Sequence, residues 1–372
     1  MSNPGVEPAN EGAPPGNPDS ATYPRKVLFV AGAGRSGTST MAGLMRIRGR
    51  HVPQPEVDAD ETTPQGFGEP RWVVDHHDRL LKEALVQVSD ARPEAWFETG
   101  RVSTREPERI RTADWLEGHF EVNPELVVKD PRLSWFLGLW RVAAIRTGAT
   151  PVFVTMLRPP AEVVGSKQAY YANKLGSAHL VASWLNMLLH TERATRGSVA
   201  DGGRVFVRYG DLLDDWVKTT MHVAETLRLQ HVLHCDSEQI RDGHRFVDPG
   251  LRRMQQTLED LELPPRLHDL TAATWDELNK LADPGGDTPA VHTALDELRE
   301  AYVDLYEESA AISRSSVVAA EQRTKRQGRP EQPAAEERRG AELLPHSVRA
   351  AVPPSVRRGL RRTFGRERPE RL

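Results

Sequence analysis

The chain has 372 residues and a single cysteine, Cys235. An intramolecular disulfide and a cysteine metal cluster are therefore excluded, and the sequence fits a reducing compartment. No apolar run approaches the roughly 20 residues that cross a bilayer. The amino terminus is rich in Pro, Gly and Asn and lacks the basic-then-apolar pattern of a secretory signal. A cytoplasmic protein is the expectation. Aromatic residues are 6 % and apolar residues 38 % of the chain, with a mean hydropathy of −0.54. That is too little apolar material for a core along the whole length, so part of the chain is expected to be unpacked. The net charge of −4 gives no overall attraction for nucleic acid. Internal repeats are absent.

The unpacked parts are predicted at the ends. Residues 1–24 have almost nothing to bury and read as a disordered segment. Arg314 to Leu372 carries 15 Lys and Arg against 7 Asp and Glu, a net +8 that leaves −12 for the remainder. Residues 311–372 therefore read as a basic, largely disordered tail. It is either a solvated segment, a contact for an anionic lipid surface through a short helix over 348–360, or a partner-binding arm.

Between these ends strand-like and helix-like segments alternate. The continuous apolar run Val27–Ala31 predicts a strand covered on both faces, and Leu126–Lys129, Pro151–Leu157 and Arg204–Tyr209 are expected as further strands. Helices are expected over Thr38–Arg48, from Pro160, over Ser183–Arg193, from Asp211 to about Leu227, and within 250–310, broken at Pro264-Pro265 and again at 283–286. This alternation predicts one α/β domain over 25–310, a P-loop-like parallel sheet flanked by helices.

The most telling stretch is Val27-Leu-Phe-Val-Ala-Gly-Ala-Gly-Arg-Ser-Gly-Thr-Ser-Thr40. A strand, a glycine turn and a helix start gather backbone N–H groups and the positive end of a helix dipole around one point, which makes an anion site. The glycines fit two templates. Gly32-x-Gly34-x-x-Gly37 matches the dinucleotide fingerprint, but the acidic residue it needs about 20 positions on would be Asp58 or Asp60, in a stretch with no strand pattern. Gly32-x-x-x-x-Gly37-Thr38-Ser39 matches the P-loop, with Thr38 where lysine should stand.

Gly34-Arg35-Ser36-Gly37-Thr38-Ser39 resembles the 5′-phosphosulfate loop of sulfotransferases that use 3′-phosphoadenosine 5′-phosphosulfate (PAPS). A second mark of that family is an arginine ending a later strand with a serine eight residues on. Leu157-Arg158-Pro-Pro-Ala-Glu-Val-Val-Gly-Ser166 has this form. The resemblance implies that Gly34, Arg35, Ser36, Gly37, Thr38 and Ser39 bind the 5′ side of the donor and that Arg158 and Ser166 hold its 3′-phosphate. Arginine suits both places, being permanently charged and able to hold two oxygens at once. Two separated positive pockets, one at each end of an adenosine, are the expected arrangement.

Three further segments, Val127–Leu133, Val207–Leu213 and Phe246–Arg253, are similar to bacterial members. The glycine-rich basic segment that cytosolic relatives carry late in the chain is missing, and Arg252 and Arg253 are the candidates to substitute for it. The resemblance implies in-line sulfonyl transfer to a hydroxyl or amine of a carbohydrate, glycolipid or small metabolite. PAPS would be the co-substrate and no metal would be needed. Arg35 would stabilise the leaving phosphate, and Lys129 would contact the sulfonate or pair with Asp130 or another acid. Glu69, in Pro64-Gln-Gly-Phe-Gly-Glu69, is the first candidate for general base, with His76 and His77 behind it. Phe67, Trp72, Trp96, Tyr170 and Tyr171 are candidates for acceptor contacts or for core. A P-loop kinase or hydrolase borrowing Lys129 or Lys167, a nicotinamide dehydrogenase and a non-catalytic nucleotide-binding module are the competing readings.

Overall fold

The computed structural model describes residues 24–58, 66, 68–170, 175–201, 203–233, 235–247 and 256–327. Four parallel strands form the sheet: β1 Lys26–Gly32, β2 Glu125–Lys129, β3 Thr150–Leu157 and β4 Arg204–Arg208. Their order is β2-β1-β3-β4, with Phe29 level with Val128 on one side and Phe153 on the other. Every strand expected from an apolar run is present within a residue or two.

These runs are continuous because both faces are covered. Alternate residues point opposite ways. Val27, Phe29, Leu126, Val128 and Phe153 enter one core, and Leu28, Val30, Val127, Val152 and Val154 enter the other. The first face is covered by helices that include α2 (Arg71–Ala84), α3 (Ala95–Ser103), α4 (Glu106–Phe120), α5 (Leu137–Arg146) and α7 (Ser177–Thr195). The ring of Phe29 lies 5.4 Å from Phe153 and 5.8 Å from Trp140. The second face is covered by α1 (Thr38–Ile47), α8 (Tyr209–Asp214) and α9 (Trp216–Leu227). A short α10 (Gln230–Leu233) and α11 (Ser237–Phe246) follow, then α12 (Pro265–Lys280) and α13 (Pro289–Gln327). The remaining helix, α6 (Pro160–Tyr170), follows β3.

Three expectations are corrected. The helix expected from Asp211 to Leu227 is two helices, because Asp215 leaves helical geometry at φ −148° and its carboxylate caps the new helix at the Lys218 N–H, 2.9 Å away. Helix α7 begins six residues earlier than expected, since Ser177 to Ala182 continue its buried stripe. Finally, the sheet-bearing unit ends at Ser309, yet α13 continues as helix to Gln327, exposed from Ala310 to Thr324, where an unstructured tail was expected. That continuation is rich in Ala, Glu, Gln, Lys and Arg, which hold a helix by propensity without burying a face. Residues 1–23 and 328–372 lie outside the described residues, as does the expected helix at 348–360. Among the described residues no helix is long and apolar enough to cross a membrane.

The sheet delivers four segments to its carboxyl edge: the loop after β1, Lys129-Asp130, Arg158 and Tyr209. In open parallel sheets this edge is where ligands bind.

Candidate functional site

The loop between β1 and α1 is shaped by three left-handed residues. Gly32 has φ +141°, Arg35 +75° and Gly37 +92°. At Gly37 the space is also closed, since a Cβ there would lie 2.2 Å from the Tyr209 ring. Gly37→Ala is therefore expected to lower stability by about 1–3 kcal/mol, read as a fall in the urea midpoint with an unchanged slope. Arg35 adopts the same region with a full side chain, a strain typical of functional loops. Gly37 caps α1 without any side-chain hydrogen bond, and the first turn contains no acid. Its N–H groups thus face the loop with the positive end of the helix dipole. Ser36 Oγ is buried beside them with no hydrogen-bond partner, a hydroxyl the loop itself does not satisfy.

Two motifs more than 120 residues apart meet here. Arg35 Nε donates to Ser166 Oγ at 3.0 Å, and Arg158 Nη1 donates to the Arg35 carbonyl at 2.9 Å. Arg158 lies over the Tyr209 ring, 4.9 Å from its centroid, and its Nε donates to Glu162 at 2.9 Å. Arg158 stands just after β3, in the link to α6, and Glu162 and Ser166 lie one turn apart on the same face of that helix. The two expected pockets are therefore one connected cluster. Arg35, in its left-handed conformation, reaches across to the α6 serine rather than standing apart from it. The Glu162 carboxylate was not singled out from the sequence. Its place in the first turn of the helix that Pro160 opens, four residues after Arg158, was the available signal.

A second cluster lies at the end of β2. Lys129 Nζ donates to Ser39 Oγ at 2.9 Å and to Glu69 Oε1 at 2.5 Å. Lys129 is 2 % and Glu69 7 % exposed. Of the two expectations for Lys129, a sulfonate contact or an ion pair with an acid, the structure shows the pair, and the acid is Glu69, the candidate base. Burial raises the Glu69 carboxyl above the ordinary value, by more than the Lys129 ammonium lowers it. Lys129 does not take Asp130 as its partner. Asp130 is fully buried and occupied by His77 Nδ1 (3.2 Å), the Arg132 N–H (2.6 Å) and Arg132 Nη1 (2.8 Å). Although burial alone would raise Asp130, the His77 hydrogen bond and the charge and backbone N–H of Arg132 hold it below the ordinary value.

Neither histidine is placed as a base. The indole N–H of Trp140 donates to His77 Nε2 at 2.7 Å, so that nitrogen accepts and Nδ1 carries the proton toward Asp130. Both ring nitrogens are used, and the ring stacks on Phe136. His77→Ala would orphan Asp130 and the Trp140 N–H together. Destabilisation of about 3–5 kcal/mol is expected, seen as a large drop in Tm, and the 1,2,4-triazole analogue of histidine at 77 should recover most of it. His76 contacts Thr112 Oγ1 at 3.3 Å and Arg79 Nη2 at 3.2 Å and stacks on Trp72. Burial, with the charges of Arg79 and Arg111, pushes it down to about 3, too weak a base for the task.

Of the aromatic candidates, Trp96 packs between Trp135 and His190 at 4.5 and 4.4 Å, a core position. Trp72 stacks on Trp115 at 4.9 Å. Phe67, Tyr171, Arg252 and Arg253 lie outside the described residues. Among the described residues no group of three His, Cys, Asp or Glu is gathered to hold a metal ion.

No family model matches this chain, and no curated protein does. Solved structures with partial likeness are sulfotransferase domains. One is from the olefin synthase of Synechococcus PCC 7002, at 15 % identity, covering 75 % of this chain and 94 % of that one, with a TM-score of 0.36. A sulfotransferase of Mycobacterium tuberculosis H37Rv is 15 % identical over 69 % of this chain and 79 % of its own, with a TM-score of 0.39. The sulfotransferase domain of the curacin biosynthetic pathway is 12 % identical over 74 % and 97 %, with a TM-score of 0.32. At these scores the likeness is weak, and the functional reading rests on the residues of the two clusters.

Proposed function

We propose that this chain is a sulfotransferase that moves a sulfonyl group from PAPS to a hydroxyl or amine of a carbohydrate, glycolipid or small metabolite. The observation that carries the reading is the convergence of Arg35, Arg158 and Ser166 at an uncapped helix start. A P-loop without its lysine, supplied instead with guanidinium and hydroxyl groups, suits a ligand that brings a sulfonate rather than a metal-bound terminal phosphate.

In this reading the loop N–H groups and Arg35 hold the 5′-phosphate. Negative charge accumulates there as the sulfur–oxygen bond to the leaving group breaks, so these donors act on the transition state more than on the ground state. The Glu69 carboxylate takes the acceptor proton as the new oxygen–sulfur bond forms, and 3′,5′-adenosine bisphosphate departs. Lys129 holds Glu69 in place and presents an ammonium at Ser39, beside the loop. Transfer is expected to be indifferent to metal chelators. The basic segment 314–372 would act as a locator, through anionic lipid or a partner, and the catalytic unit would work in the cytoplasm.

The test is a thermal-shift titration. 3′,5′-Adenosine bisphosphate should stabilise the native chain, and ATP with Mg²⁺ should not. Stabilisation by ATP with Mg²⁺ alone would favour a phosphoryl-transfer enzyme and defeat the proposal.

A further inference from the structure

Lys167, the residue after Ser166, is 8 % exposed, and the roles proposed above leave it unused. Its Nζ donates to Ser89 Oγ at 3.0 Å. Among the described residues that hydroxyl is its only hydrogen-bond partner and no carboxylate pairs with it. An ammonium has three N–H donors, so a buried one with a single neutral partner carries an uncompensated charge. Burial, with no charged neighbour contributing, pushes the amine down to about 8.

The hydroxyl that Lys167 touches is held in place from several directions. Ser89 lies between α2 and α3, where the Asp90 carboxylate accepts from the backbone N–H groups of Gln87 and Arg92. Asn186 Nδ2 donates to the Asp90 and Arg92 carbonyls, and Trp135 Nε1 to the Val88 carbonyl. Tyr302 donates to the Ala91 carbonyl, and His179 Nε2 lies 3.2 Å from the Ser89 carbonyl. The amine is thus fixed against a braced segment while its own backbone sits beside the serine that contacts Arg35. A methionine of similar length would fill the same space without the cost of desolvating an amine.

We propose that Lys167 is an oxyanion-binding residue of the transfer cleft, its ammonium exchanging Ser89 for a phosphate or carboxylate oxygen of a bound ligand. This rests on the sulfotransferase reading and deepens it. The oxyanion belongs either to the nucleotide donor or to an acidic acceptor, and the two sources separate by experiment.

Binding of 3′,5′-adenosine bisphosphate to the full chain would be measured by calorimetry for the native protein, Lys167→Met and Lys167→Arg. In a second arm, protein saturated with the bisphosphate would be titrated with 4-hydroxybenzoate and with its neutral amide. A loss of tenfold or more in nucleotide affinity in Lys167→Met, restored by Lys167→Arg, assigns the donor's phosphate. Unchanged nucleotide affinity, with a preference for the acid over the amide that disappears in Lys167→Met, assigns the acceptor. If Lys167→Met fails to fold, Lys167→Gln replaces it. A folded charge-free variant that matches the native protein in both arms overturns the proposal alone. A native chain that binds no bisphosphate overturns the sulfotransferase reading with it.

Discussion

Arg35→Ala lowers sulfonyl transfer by about 10²–10³-fold, the usual loss for one donor aimed at developing charge, and weakens binding of 3′,5′-adenosine bisphosphate. The expectation follows from position. Arg35 is held in a left-handed backbone conformation, its Nε is on Ser166 and its carbonyl is held by Arg158. The same contacts predict non-additivity. Ser166→Ala alone should cost less than Arg35→Ala, and the double variant should cost less than the sum, with a coupling of about 0.5–3 kcal/mol. Arg158→Ala is a poorer probe, because it leaves the Glu162 carboxylate buried without the guanidinium that now meets it at 2.9 Å, so stability falls together with binding. Native affinity and native turnover in a folded Arg35→Ala protein would remove the loop from the mechanism.

The second large effect belongs to the Lys129–Glu69 pair. Glu69→Gln keeps the shape, removes the proton acceptor and leaves nucleotide affinity near native, with transfer to a hydroxyl acceptor down about 10²–10⁴-fold. Because burial raises the Glu69 carboxyl, the acid limb of kcat/KM should lie above the ordinary glutamate range, activity falling as pH drops through the raised value. Stability has the opposite sense. A carboxyl that binds its proton more tightly when folded favours the folded state most below the unfolded pKa. That advantage is lost as pH rises through the folded value. Lys129→Met removes the ammonium that limits the rise, so its cost should grow with pH and reach about 3–5 kcal/mol where Glu69 is ionised. Urea denaturation at pH 5 and pH 8 reads this difference. The double variant Lys129→Met with Glu69→Gln should recover most of the lost stability, because no buried charge is then left alone. Equal cost at both pH values would show that the two side chains are not electrostatically linked.

Much of the molecule was legible from the chain. The four strands each have a short apolar centre, and such a segment buried on both faces has few other uses. Gly32, Gly34 and Gly37 in their spacing announced the turn, and Pro160 announced the start of α6. The break at Asp215 was less legible, because an aspartate that caps a new helix looks, in a periodic pattern, like one more exposed residue of a continuous one. Glu69, Lys129, His76 and His77 were identified by type and neighbourhood, but their partners were not. Lys129 and Glu69 are 60 positions apart, and the Trp140 indole that locks His77 is 63 positions from it. Spacing along a chain carries no information about such meetings unless both residues lie on one helix or one strand.

The sequence by itself determined the parallel sheet, the glycine loop at its carboxyl edge and the residue types brought to it, because strand burial, glycine turns and helix starts are properties of short segments. Tertiary structure alone decided that Arg35, Arg158 and Ser166 form one cluster and that Glu69 and Lys129 are paired. It also decided that His77 is a braced structural ring and that Lys167 is buried with no counter-ion among the described residues. Each of these depends on which elements the two hydrophobic cores press together, and on how far a buried charge must reach to find its complement.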